Sequence, residues 1–189
     1  MVSPSAIQTF TGAFFDPFAP DPGLIDIRDI AHALANQCRY SGHTRVHWSV
    51  AAHSCLVSAC CSSEFRLEAL LHDGHEAYVL DLPTPLKRHE SMQPYRSMEQ
   101  AVEQAVRFRF GLPLTTGLEI RHADRIALWA EAEELLHGTS DWVTETPHPN
   151  SELEIKWARE RIREMLGMNS ERLFLSTFNM LKGVDVHAD

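Results

Sequence analysis

Apolar residues recur along most of this chain at three- and four-residue intervals, the signature of helices with one buried face. From Ile25 onward, Ile27, Ile30, Ala31 and Leu34 form one stripe, and Asp26 and Asp29 sit where a helix start favours negative charge. That predicts a first amphipathic helix. A second is expected over His47–Cys61, and a third from Glu64 to about Val79, where Asp81-Leu82-Pro83-Thr84-Pro85 ends it. Met98, Val102, Ala105 and Val106 mark a fourth over Pro94–Phe110, stopped by Gly111 and Pro113, and Ile120, Ala123, Ala127, Ala130 and Leu135 mark a fifth over Leu118–His137. Two more are expected, Ser151–Leu166 with Ser151 and Glu154 spaced as a capping box, and Ser170–Lys182. Residues 1–23 mix phenylalanines with prolines and glycines, which suits an irregular arm with turns and short strands. Cys38–His47 and Gly138–Asn150 read as loops. The expected fold class is therefore all-α: a single helical-bundle domain over 1–189, with an arm at 1–23, a core at 25–136 and C-terminal helices at 151–182.

Composition narrows the partners. With 189 residues, 44% hydrophobic and 23% charged, the chain is an ordinary globular one, long enough to bury a core without staples. A formal charge of −9 disfavours nucleic acid polymers, while a small phosphorylated substrate stays compatible if a few cationic groups are aimed at it. No run approaches 18 apolar residues, no leader pattern opens the chain, and Cys38, Cys55, Cys60 and Cys61 form no C-x-x-C pair. The expectation is a cytoplasmic protein with reduced thiols and no membrane association.

Candidate chemistry concentrates in Leu70–Lys87, reading LLHDGHEAYVLDLPTPLK. On one continuous helix His72, Asp73 and Glu76 share a face, and the apolar run before them turns His72-Asp73 inward, where imidazole and carboxylate need partners or a metal. Taken alone, His53 reads as a hydrogen-bonded core histidine, and Asp124 as a structural aspartate paired with Arg121 or Arg125.

Together, in the order His53, His72-Asp73, Asp124, these residues resemble the HD-domain metal-dependent phosphohydrolases. They resemble in particular the 5′-deoxynucleotidases and the bacteriophage-type deoxynucleotide phosphohydrolases. The likeness is carried by RYSGHT (39–44), AHS (52–54), LLHDGHEA (70–77), DLPTPLK (81–87) and HADR (122–125). It implies that His53, His72, Asp73 and Asp124 hold one divalent cation, with Mn, Co, Zn, Fe, Ni and Mg all open. It further implies that Glu76 moves a proton, that Asp81 works near the phosphate or sugar, that Arg39 clamps phosphate, that Tyr40 stacks on sugar or base, and that Lys87 reaches further phosphates. Without the likeness, Arg39 and Lys87 read as solvated surface charges. The substrate implied is a 2′-deoxyribonucleoside 5′-phosphate, and the assembly implied is a homo-oligomer.

Three positions depart from the pattern. Gly74 replaces an alanine, at a cost of about 1 kcal/mol if it lies within a helix. His75 is unusual and is expected to be exposed or to stand behind the ligands. Ala52 replaces an acid, which leaves His53 without an evident carboxylate behind it. The competing readings are a non-catalytic nucleotide-sensing or partner-binding protein on the same scaffold and, with a poorer motif match, an alarmone hydrolase.

Overall fold

The computed structural model describes residues 3–137 and 150–183 and is all-α apart from one small hairpin. The hairpin pairs β1 (Ile7–Gln8) with β2 (Phe14–Phe15) antiparallel. It is pinned to the body where Thr11 donates its backbone N–H (2.6 Å) and hydroxyl (3.0 Å) to the buried Asp29 carboxylate. Of the arm's phenylalanines, Phe15 is the one fully buried, against Tyr78.

The core is built around α2 (Val50–Cys60), whose N-terminus is capped by Ser49. Every residue from Val50 to Ser58 is buried, so this helix is apolar or small-polar all round, as a central helix must be. Packed against it are α1 (Ile27–Asn36), α3 (Arg66–Leu70), α7 (Leu118–Leu135), α8 (Glu152–Met165) and α9 (Ser170–Lys182). Short α4 (Glu76–Val79) and α5 (Thr84–Arg88) lead into the long α6 (Gln93–Phe110), which ends on left-handed Gly111. Ser151 stands at the N-cap of α8 without a capping side-chain bond, and Glu154 pairs instead with His122 at 3.6 Å. The expected loop at 138–149 lies outside the described residues. No helix among the described residues is long and apolar enough to cross a membrane.

The third expected helix is where the fold differs from the periodicity. The chain leaves α3 at Leu71 and crosses to α4 through turns tightened to the three-residue spacing: Gly74 N–H donates to Leu71 O (3.0 Å), and Glu76 N–H to Asp73 O (2.9 Å). Gly74 is thus not a helix-interior glycine. A Cβ there would stand 3.1 Å from Leu71 O and 3.3 Å from a Val106 methyl, so its absence lets this turn sit against α6. The helix expected from Glu64 to about Val79 is thus two short helices joined by a tight turn that carries His72 and Asp73.

Candidate cation site and the adjoining pocket

His53 is fully buried on α2, and its Nδ1 lies 2.7 Å from Glu131 Oε1. A carboxylate only accepts, so Nδ1 carries the hydrogen, and in the neutral ring Nε2 then presents a lone pair. His72 follows the same logic. Its Nδ1 lies 2.7 Å from the Ala69 carbonyl, another pure acceptor, and again Nε2 is left as a lone pair. Both Nε2 atoms are buried without a hydrogen-bond partner, and both face carboxylates. His53 Nε2 is 3.6 Å from Asp73 Oδ2 and 3.2 Å from Asp124 Oδ1; for His72 Nε2 the distances are 3.1 and 4.0 Å.

The structure thus brings together His53, His72, Asp73 and Asp124 from α2, the 71–75 turn and α7. Four acceptors converge with no donor between them, an arrangement that needs a cation or extra protons. Protons are the alternative available to the chain alone. Burial and the Arg39 charge work against protonating His53, yet Glu131 and Asp124 raise its pKa to about 10. The donor set, two imidazole nitrogens and two carboxylate oxygens with Asp124 44% exposed, fits a divalent metal with room left for water.

Glu131 was not anticipated, and it answers the question left by Ala52. It is fully buried, and four donors surround its two oxygens: His53 Nδ1 (2.7 Å) and Trp48 Nε1 (2.8 Å) at Oε1, Tyr40 OH (2.7 Å) and, at 3.6 Å, Arg39 Nη2 at Oε2. The signal was available. Glu131 is seven residues from Asp124, two helical turns minus about 20°, and Ala127 and Ala130 beside it are on the buried stripe.

Glu76 is not one of the four converging acceptors, although Asp73 among them acts on its charge. It lies 3.2 Å from Lys87 Nζ, which also meets Glu99 at 2.6 Å, and His75 Nε2 stands 3.7 Å from Glu99. His75 is buried, not exposed, and Lys87 is a half-buried cation paired with two acids, not a solvated charge. Burial and the carboxylates of Asp73 and Asp81 raise the Glu76 pKa well above the ordinary value despite Lys87, and Oε2 of Glu76 has no partner.

Arg39 also is no surface charge. It is 13% exposed, with Nη1 3.4 Å from Asp81 Oδ2. Tyr40 and Ser41 follow it with φ of 54° and 51°, and Gly42 with φ of 80°, a run of left-handed residues that only glycine adopts freely. Gln37 ties this side to α4, donating to Glu76 O (2.9 Å) and accepting from Asp81 N–H (3.1 Å). Arg39, Tyr40 and Asp81 line a 560 Å³ pocket closed by Pro83, Pro85 and Leu128. Lys87 does not line it.

No family model matches the sequence. The chain is 40% identical over 131 residues to the uncharacterized protein YfdR of Escherichia coli (strain K12), covering 69% of this chain and 72% of YfdR. It is 35% identical over 141 residues to the uncharacterized protein RCAP_rcc00048 of Rhodobacter capsulatus, covering 68% and 71% respectively. At that identity and coverage, the chain belongs to the family of YfdR and RCAP_rcc00048.

Proposed function

We propose that the protein is a divalent-cation-dependent phosphohydrolase of the HD type acting on 2′-deoxyribonucleoside 5′-phosphates. The observation that carries this reading is the acceptor-only convergence of His53, His72, Asp73 and Asp124 beside a pocket lined by an arginine. A divalent cation in that place supplies Lewis acidity, lowering the pKa of water and drawing charge from a phosphoryl oxygen. The remaining work falls to the chain. Glu76, whose raised pKa lets it hold a proton, gives and takes it at Oε2. Arg39 presents its guanidinium to a phosphate, steadied by Asp81 and Glu131. The 560 Å³ pocket is of a size for one nucleotide, with Tyr40, the prolines and Leu128 flanking the sugar and base.

Fewer cationic groups are free than the sequence suggests. Lys87 is paired with Glu76 and Glu99, and Arg45 donates to the Glu134 carbonyl. Arg88 and His43 line the pocket with Arg39, so monophosphates and triphosphates are both candidates. The test is product release from a panel of deoxy- and ribonucleoside mono- and triphosphates with Mn²⁺ or Co²⁺, with EDTA as control. Metal-dependent product release from deoxynucleotides is expected. Protein that binds metal but turns over none of the panel would overturn the catalytic reading in favour of a nucleotide-sensing protein.

A further inference from the structure

We infer that Glu131 is a positioning residue that couples the cation site to the left-handed turn lining the pocket. This inference rests on reading the four converging acceptors as a cation site. Each oxygen of Glu131 serves a different structure. Oε1 accepts from His53 Nδ1 and so fixes the tautomer that turns Nε2 inward, while Trp48 Nε1 donates to the same oxygen and anchors it. Oε2 accepts from Tyr40 OH and faces Arg39 Nη2. A carboxylate offers about four lone-pair sites, and four donors surround it, so moving one donor changes what the others meet.

The turn at the other end is conformationally costly. Tyr40 and Ser41 both hold left-handed backbone, which a Cβ disfavours. A strained segment persists only where its surroundings over-determine it. The Tyr40 hydroxyl on Glu131 is one such restraint, and Arg39 N–H donating to Trp48 O at 2.9 Å is another. A cation pulling on His53 therefore sets the carboxylate that holds Tyr40 and Arg39. By reciprocity, whatever orders the turn strengthens cation binding by the same factor.

The experiment titrates Mn²⁺ alone, by calorimetry, into the wild type, Glu131→Gln, Tyr40→Phe and the double variant, and records the visible absorption of each with Co²⁺. Glutamine can still accept from His53, with Tyr40 reversing its hydroxyl, so Glu131→Gln removes the charge with little change of shape. Glu131→Gln is expected to weaken Mn²⁺ about tenfold or more and to alter the Co²⁺ spectrum, as loss of a carboxylate behind a histidine ligand does. Tyr40→Phe is expected to weaken Mn²⁺ about fivefold, the size of one hydrogen bond. The double variant should be no weaker than Glu131→Gln alone. Wild-type Mn²⁺ affinity and Co²⁺ spectrum in both single variants, or effects that simply add, would overturn the coupling while leaving the cation site standing. A wild type that takes up neither metal would overturn both. Should Glu131→Gln not fold, the Tyr40→Phe titration decides.

Discussion

Two clusters of histidine and carboxylate lie on either side of the turn through Gly74, and they solve the same electrostatic problem in opposite ways. In one, His75, Glu76 and Glu99 have Lys87 Nζ among them, 3.2 and 2.6 Å from the two acids. In the other, His53, His72, Asp73 and Asp124 face one another, with each histidine held at Nδ1 so that its Nε2 points inward. Buried negative charge must be compensated. The first cluster carries its compensating cation in the sequence; the second, left to itself, takes up protons at His53, and its donor set also suits a divalent cation. A spacing of histidines and acids is therefore a weaker guide to a cation site than the tautomers their second nitrogens dictate and the lysines within reach.

The largest effect should come from the open cluster. Asp73→Ala should abolish Mn²⁺ uptake. Wild-type protein at about a thousandfold excess of Mn²⁺ over Kd gains about 4 kcal/mol against unfolding, and the variant should gain none. Unfolding curves with Mn²⁺ and with EDTA measure this, and equal stabilisation of both proteins would remove Asp73 from the ligand set. Lys87→Met should leave Mn²⁺ uptake intact and damage the closed cluster instead. Stripping the cation from buried Glu76 and half-buried Glu99 should cost about 3 kcal/mol. The sign with pH follows from Glu76, whose folded pKa is already raised by burial and by Asp73 and Asp81, and without Lys87 it rises further. A raised acid contributes stability at low pH that is lost as pH climbs through its folded pKa. The deficit in urea midpoint should therefore be larger at pH 8 than at pH 5. An equal deficit at both would mean that Lys87 does not act as the compensating charge.

Much of this division was legible beforehand, and what was not has physical causes. The bundle could be read because stripes such as Ile120, Ala123, Ala127 and Ala130 repeat at the helical period and are buried. So could the grouping of His53, His72, Asp73 and Asp124, which converge in space. The break after Leu70 could not be read, since an apolar-polar pattern is nearly the same for one helix as for two short ones joined by a tight turn. Beyond that break Glu76 Oε1 meets Lys87, a pairing that the helical pattern does not show. The pairing of Lys87 was hidden for a similar reason: α5 opens on Pro83 at its N-cap and Pro85 in its first turn, which argue for an ending, and a lysine there looks solvated. Glu131 was concealed by composition, one acid among Glu131, Glu133 and Glu134, with only its place on the buried stripe to set it apart.

Glu131 gives a third, somewhat smaller effect, visible only without metal. Burial alone would raise its pKa, but His53 and Arg39 outweigh that and hold it at about 2, against 4.5 for an ordinary glutamate. A depressed acid contributes stability that is complete above about pH 4.5 and is lost as pH falls towards 2. In EDTA the urea midpoint should fall across that window by the equivalent of about 2–3 kcal/mol. Glu131→Gln should flatten the slope. An unchanged slope would assign the acid sensitivity elsewhere.

The smallest effect tests the turn that separates the two clusters, and its sign is the informative part. Were Gly74 inside a continuous helix over 64–79, Gly74→Ala would stabilise the protein by about 1 kcal/mol, because alanine is the better helix former. In the turn, a new Cβ meets Leu71 O at 3.1 Å and a Val106 methyl at 3.3 Å, so α6 or the turn must yield. Overpacking of that size costs about 1 kcal/mol, or about 3 °C in a chain of this length. Melting in EDTA is expected to drop for Gly74→Ala. The cost should shrink when Val106→Ala is added, since the two substitutions compete for one space. A gain in melting temperature from Gly74→Ala would instead restore the unbroken helix over 64–79, and the tight turn between the two clusters would go with it.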